Sequence, residues 1–290
     1  MTLEKKSPCK VNLLLNILGR RADGFHELET VMQPLNLCDH LSFARGGHGV
    51  QLTCDEPGLP TDGTNLVHRA ATAFLQQAAI RDGVRLHLEK KIPMAAGLGG
   101  GSGNAASTLL GLNELFGTPL SAEQLQPLAA ALGSDVPFFL QTKPALATGR
   151  GETILPLEPF PALRGQAFLL IHPGFGIATA WAYRELARFP AARQGTPGRA
   201  QQLIARLRTD DLRAAGTGFY NSLEAPALAK YPVLEMFQEF LRNGGAEVAL
   251  MSGSGSTTFA IAQNLAAAEN LAEKFKSQFG DKGWMATVEV

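Results

Sequence analysis

Pro93-Met94-Ala95-Ala96-Gly97-Leu98-Gly99-Gly100-Gly101-Ser102-Gly103-Asn104-Ala105-Ala106-Ser107 carries five glycines in seven positions and runs straight into a segment rich in Ala and Leu. Glycine admits positive φ and lets the backbone come close to a ligand. Successive N–H groups in such a loop form an anion-binding concavity. A helix that starts at once, expected over residues 104–116, adds unpaired N-terminal amides and the positive end of its dipole. The combination suits a triphosphate. A plain flexible turn and a dinucleotide fingerprint are the competing readings. Gly101-x-Gly103-x-x-Ala106 fits the fingerprint in letters, but no strand directly precedes its first glycine. A Walker A loop is excluded, because no Gly-Lys-Ser/Thr stands at the helix start.

Outward from the loop, residues 84–89 alternate as a strand and residues 65–79 carry apolar positions at helical spacing. Ser121 with Gln124 three positions on marks a helix start, and the helix is expected to end at Gly133. Residues 144–155 read as a hairpin turning near Gly149-Arg150-Gly151. Residues 158–161, Glu-Pro-Phe-Pro, suggest a boundary, so two domains are expected, 1–160 and 161–290. The second half reads strand 167–172, a polar loop 190–199, helices 200–208 and 233–243, strand 247–251, a glycine-serine turn at 252–256, strand 257–262, helix 266–279 and strand 284–290. Antiparallel-capable strands mixed with helices indicate the α+β class.

Residues 10–18 also alternate. One side carries Val11, Leu13, Leu15 and Ile17; the other carries Lys10, Asn12, Leu14 and Asn16. The polar side faces either a site or solvent, and the pattern leaves both open. A lysine there suits phosphoryl transfer by orienting a phosphate or easing deprotonation of a hydroxyl; a solvated lysine is the plainer reading. Asp135, between Gly133 and the apolar Phe138-Phe139-Leu140, is a candidate general base or a helix cap. Phe25 and His26 follow a turn and can stack on and hydrogen-bond a base, or serve as an ordinary surface ring and a satisfied histidine. Gly253-Ser254-Gly255-Ser256 is either a turn or a second backbone approach to a nucleotide.

Bulk properties narrow the classes. Lys+Arg and Asp+Glu both number 26, and this zero balance argues against a nucleic-acid-binding protein. Three cysteines without C-x-x-C spacing argue against a disulfide framework or a cysteine zinc site. Lys10, Asn12 and Asn16 interrupt the apolar N-terminal stretch, so neither a membrane span nor a signal peptide is expected, and the chain reads as cytoplasmic.

Taken in order, SPCKVNLLLNILGRRADGFHELET, PMAAGLGGGSGNAAS, GSDVPFFL and MSGSGSTTFA resemble the GHMP kinases, the family of galactokinase, homoserine kinase and mevalonate kinase. The set is most similar to members whose acceptor is a cytidine-diphosphate-bearing methylerythritol, in the non-mevalonate isoprenoid pathway. The resemblance implies a two-domain GHMP kinase fold, with an N-terminal domain like ribosomal protein S5 domain 2, a ferredoxin-like C-terminal domain and the active site in the cleft between them. It implies ATP-dependent phosphorylation of the acceptor's 2-hydroxyl. Asp135 matches the family's base and Lys10 the lysine paired with it. Asn65, Leu66, Pro93, Met94, Ala95, Ala96, Gly97, Leu98, Gly99, Gly100, Gly101, Ser102 and Gly103 match the ATP-binding positions. Asn12, Phe25, His26, Thr179 and Tyr183 match substrate contacts, with Phe25 and Tyr183 stacking on the cytosine. Mg2+ is expected with ATP, but no acidic ligand for it is readable. Two departures stand out: Gly103 where the family usually has serine, and Phe25 where it often has tyrosine. Homoserine- or mevalonate-type alcohol kinases and a non-catalytic nucleotide-binding module are the alternatives. Both monomer and homodimer are compatible with the sequence.

Overall fold

A computed structural model describes residues 2–290. In chain order the strands are β1 (Thr2–Arg20), β2 (His26–Arg45), β3 (Val50–Cys54), β4 (Val84–Glu89), β5 (Ala145–Gly149), β6 (Thr153–Pro156), β7 (Ala167–His172), β8 (Tyr220–Asn221), β9 (Val248–Met251), β10 (Thr258–Ala262) and β11 (Trp284–Glu289). The helices are α1 (Leu66–Gln77), α2 (Gly100–Leu115), α3 (Ala122–Leu132), α4 (Thr179–Glu185), α5 (Pro190–Arg193), α6 (Arg199–Leu207), α7 (Leu212–Ala215), α8 (Glu224–Lys230), α9 (Val233–Asn243) and α10 (Leu265–Phe279). They pack as two compact units whose segments alternate along the chain.

The first unit comprises the chain up to Cys9, Leu37–Ile92 and Gly99–Thr142. In it β3 and β4 run parallel, Val50 beside Val84, and α1 is the crossover that a parallel pair requires. The C-terminal half of β2 pairs antiparallel with β4, His40 beside Glu89. Phe43, Phe74, Leu88, Leu109 and Leu112 are wholly buried here, each contributing about 1.5–3 kcal/mol of hydrophobic stabilisation. The capping box at Ser121 and Gln124 is formed.

The second unit comprises Lys10–Asn36, Pro93–Leu98 and Lys143–Val290. The N-terminal half of β2 pairs with β5, Leu28 beside Gly149, and β5 forms a hairpin with β6. β8 joins β1 in parallel at Leu14 and Leu15. A separate four-stranded antiparallel sheet has the order β11-β7-β10-β9. Its residues Leu169, Ile171 and Ala260 form one core with Phe237 and Leu241 of α9 and Leu271 and Phe275 of α10. This is the strand order of a ferredoxin-like β-α-β-β-α-β arrangement.

Three features depart from the sequence reading. β1 extends beyond residues 10–18 at both ends, and both of its sides are covered: Lys10 and Asn12 are 2% exposed and Asn16 is fully buried. The solvent-facing reading of that strand is therefore excluded. α2 begins at Gly100 rather than near residue 104, because its glycines adopt helical backbone behind a left-handed Gly99. The loop at 190–199 contains the single turn α5.

Candidate active site

In the second unit the glycine-rich segment is held by its carbonyls. Ala96 O accepts from Thr257 N at 3.1 Å and Leu98 O from Lys10 N at 2.9 Å. Between them, Gly97 O accepts from the Ser252 hydroxyl at 3.0 Å and from Lys10 Nζ at 3.2 Å. Three successive carbonyl dipoles are thus turned into the protein, so their negative ends are engaged. Gly97 has φ +78°, and a Cβ there would lie 2.1 Å from Ser252 O, so no other residue fits. Ala95 is held at φ +50°, a conformation that costs a non-glycine residue about 1–2 kcal/mol. Met94 and Ala95 are exposed.

Lys10 extends from the buried side of β1. Its ammonium donates to Asn12 Oδ1 at 2.6 Å as well as to Gly97 O. Asn12 Nδ2 donates to Thr30 Oγ1 at 2.8 Å, which fixes the amide's orientation. Ser252 Oγ accepts from Asn12 N at 3.3 Å. The turn at 252–256 therefore meets both the lysine strand and the glycine segment, and it is more than a link between β9 and β10. Thr179, at the start of α4, shares a 3.0 Å hydrogen bond with Ser254 and so belongs to the same neighbourhood.

Also in this unit, Phe25 is 53% exposed, unusual for a large apolar ring. Asp23 accepts from Phe25 N at 3.1 Å and shapes the turn. The Arg150 guanidinium lies over the Phe25 ring, 4.7 Å from its centroid. His26 and Tyr183 face each other with centroids 5.1 Å apart. Partial burial, then the charges of Arg20 and Arg193, lower the His26 pKa below its ordinary value. The shift favours the neutral imidazole, which has one donor and one acceptor nitrogen. Arg150 escaped the sequence reading because only the β5–β6 hairpin fold brings it to Phe25.

In the first unit, α2 starts behind Gly99, whose φ is +70°. No side chain caps this end and its first turn holds no acidic residue. Its first amides have no intrahelical partner and point at one place, the arrangement that receives an anionic oxygen. Leu66 lies against Gly101, 3.6 Å from where a Cβ would stand. Asn65 is the N-cap of α1, accepting from Val67 N at 2.8 Å. Gly103 turns away from the helix tip: a Cβ there would lie 2.6 Å from Pro8 O and 3.1 Å from Ser7 Oγ. The glycine in place of serine lets α2 press onto β1. Asp135 lies half-buried in the turn after α3, one position before Val136, the N-cap position of the following 3-10 turn.

A buried cluster that the sequence reading missed ties the two flanks of this region together. Asp39 is fully buried. It accepts from Lys91 N at 2.7 Å, Ile92 N at 2.9 Å, Asn104 Nδ2 at 2.9 Å and the Lys90 ammonium. Asn104 Nδ2 also donates to Ser7 Oγ at 2.9 Å, and its Oδ1 accepts from Lys90 Nζ at 3.3 Å. The strand end before the loop and the first turn of the helix after it are thus joined through one carboxylate.

No group of three or more His, Cys, Asp or Glu side chains that could hold a metal ion occurs among the described residues. A dedicated protein cage for magnesium does not fit this residue set; a magnesium ion carried on nucleotide phosphates needs none.

Two family models match the chain: the GHMP kinases N terminal domain over residues 65–143 and the GHMP kinases C terminal domain over 191–281. The 4-diphosphocytidyl-2-C-methyl-D-erythritol kinase of Synechococcus sp. (strain JA-2-3B'a(2-13)) is 41% identical over 285 residues, covering 96% of this chain and 91% of its own. This chain is a GHMP kinase. The kinase of the same name from Citrifermentans bemidjiense is 38% identical, covering 98% of this GHMP kinase and 97% of itself. Among solved structures, a 4-(cytidine 5'-diphospho)-2C-methyl-D-erythritol kinase superposes with a TM-score of 0.79 at 33% identity, covering 99% of this kinase and all of the other chain. A homoserine kinase from Cytophaga hutchinsonii, at 21% identity and TM-score 0.76 over 100% and 94% of the two chains, shares the fold. The two-domain α+β architecture is that of the family. No helix of the described residues is long and apolar enough to cross a membrane.

Proposed function

We propose that this GHMP kinase transfers the γ-phosphoryl group of ATP to the 2-hydroxyl of 4-diphosphocytidyl-2-C-methyl-D-erythritol, giving the 2-phosphate and ADP in the non-mevalonate isoprenoid pathway. The observation that carries the choice of acceptor is the aromatic group in the second unit: exposed Phe25 backed by Arg150, and neutral His26 against Tyr183. Stacking rings beside a group with one donor and one acceptor suit a nucleobase, which homoserine and mevalonate lack. Near full-length likeness to kinases of that name supports it.

In this reading the segment from Pro93 to Gly103 lines the ATP, with the amides of Met94 to Gly103, including the open start of α2, on its phosphates, and Asn65 and Leu66 border the adenine. Mg2+ carried on the ATP would supply charge neutralisation at the phosphates. Asp135 removes the proton from the 2-hydroxyl, whose oxygen forms the new P–O bond as the bond to the ADP oxygen breaks. Lys10 pairs with Asp135 and supports the alkoxide. Asn12 and Thr179 position the acceptor, Phe25 and Tyr183 enclose the cytosine, and His26 hydrogen-bonds its edge. The family's two domains are taken as residues 1–160 and 161–290, and the enzyme as cytoplasmic, a monomer or homodimer. ADP release in a coupled assay tests the reading. Asp135→Asn is expected to lower kcat by at least ~100-fold, and Phe25→Ala to raise the acceptor KM at least ~10-fold while leaving the ATP KM within twofold. Unchanged turnover in Asp135→Asn removes the assigned base; an unchanged acceptor KM in Phe25→Ala removes the cytosine pocket.

A further inference from the structure

Asn221 and Glu224 lie three positions apart where β8 gives way to α8, and neither contacts the glycine segment. Both grip one short stretch of backbone at the end of β9. Asn221 is 2% exposed. Its Nδ2 donates to Met251 O at 2.7 Å and to Gly253 O at 2.8 Å, and its Oδ1 accepts from Leu223 N at 2.9 Å. Both of its N–H donors are therefore used, on carbonyls that flank Ser252. Part of the Glu224 side chain is exposed, but its carboxylate is turned inward. Glu224 Oε1 accepts from Met251 N at 2.8 Å and from Gln238 Nε2 at 2.5 Å. The peptide groups on both sides of residue 251 and the carbonyl of residue 253 are thus held by one Asn-x-x-Glu pair, so Ser252 has little freedom to shift.

Ser252 is the residue whose place matters. Its hydroxyl sits on Gly97 O, the carbonyl that also receives the Lys10 ammonium, and it accepts from Asn12 N. We infer that Asn221 and Glu224 are positioning residues for phosphoryl transfer, acting through the 251–253 backbone and the Ser252 hydroxyl to fix the Gly97 carbonyl and hence the Lys10 ammonium. The inference rests on the assignment of Lys10 to the reaction. Displacements of about an ångström at such a site reduce rate a hundredfold without abolishing binding, so the effect falls on kcat.

The test is a double-mutant cycle on Asn221→Ala and Ser252→Ala with steady-state kinetics, Tm recorded for each protein. Groups acting through one another are not additive. Each single variant is expected to lose at least ~10-fold in kcat, with both KM values within about threefold, and the double variant to lose little more than the worse single one. Losses that multiply, or a kcat within twofold of wild type in Asn221→Ala, overturn the inference. Glu224 supplies the arm that survives if Asn221→Ala does not fold. Glu224→Gln keeps a carbonyl oxygen for Met251 N and is expected to recover most of the kcat that Glu224→Ala loses. Equal loss in both, or no loss in Glu224→Ala, contradicts it. Lys10→Ala separates the two levels: if it stays active, the assignment of Lys10 fails; if it is inactive while Asn221→Ala is fully active, only the positioning inference fails.

Discussion

The two halves of the glycine-rich loop are secured in different ways. Pro93–Leu98, in the second unit, is held from outside its own carbonyls by a hydroxyl, an ammonium and two amides, namely Ser252 Oγ, Lys10 Nζ, Lys10 N and Thr257 N. The stretch from Gly99 onward, in the first unit, is held by a fully buried carboxylate, Asp39, with Lys90 and Asn104 around it. The first set consists of modest hydrogen bonds to backbone. The second is a buried ion pair with every lone pair occupied. Removing one partner of a buried pair strands the other charge, which is strongly destabilising, whereas loss of a single hydrogen bond to a carbonyl costs about 1 kcal/mol. We propose that the rear half, from Gly99 onward, secures the fold, while the front half, Pro93–Leu98, sets the geometry of the chemistry.

The largest expected effect breaks the rear clamp. Asp39→Ala leaves Lys90 buried without its partner and is expected to lower unfolding free energy by about 3–5 kcal/mol, read as a shift of the urea midpoint. A loss of activity at unchanged stability would move Asp39 into the front group. Lys10→Ala should do the reverse: kcat down by roughly 100-fold or more, about 2.7 kcal/mol of barrier, with a Tm close to wild type. Gly103→Ser sharpens the comparison further. Its side chain meets Pro8 O and Ser7 Oγ in the first unit, so stability should fall by about 1–3 kcal/mol from overpacking, with no gain in ATP affinity. Tighter ATP binding in this variant would instead place residue 103 on the phosphates.

The smallest expected effect is a pH slope. Burial raises the Glu224 pKa from 4.5 to about 7, opposed by Met251 N, Gln238 and the charge of Arg242. The folded protein then holds a proton that the unfolded chain has released. Stability from that proton is complete below pH 4.5 and is lost as pH rises through about 7. Thermal unfolding across this window should show stability declining by at most about 1.4 kcal/mol per pH unit, and Glu224→Gln should flatten it. An unchanged slope in that variant would assign the titration elsewhere.

Most elements were legible because their patterns are local. The strand at 84–89, the helices at 65–79 and 233–243 and the hairpin at 144–155 all appear within a residue or two. β2 was not legible as one strand: Pro34 interrupts it, and residues 28–33 of its N-terminal half are buried on both sides, so alternation survives only in its C-terminal half. The helical state of Gly100 to Gly103 was hidden by low intrinsic propensity, which tertiary packing against β1 and Ile92 overrides. The alternation of the two units follows from β1, β2 and the glycine-rich segment each passing from one to the other, which no local pattern reports. At the site, Lys10 and Asn12 were visible as polar residues in line on an otherwise apolar strand. Asp39 carried a comparable signal, a lone carboxylate in Leu-Cys-Asp-His-Leu, but its partners lie 51 to 65 positions away. Asn221 and Glu224 were silent, since the groups they hold at Met251 and Gly253 are backbone groups 27 to 32 positions away.

The central claim is that this kinase phosphorylates a cytidine-bearing alcohol at its 2-hydroxyl. Phosphorus NMR of the products from ATP and 4-diphosphocytidyl-2-C-methyl-D-erythritol tests it most directly. The account predicts a new phosphomonoester on the 2-oxygen, formed one for one with ADP and absent with homoserine or mevalonate. ADP formed without the acceptor, or equal phosphorylation of those simpler alcohols, would contradict it.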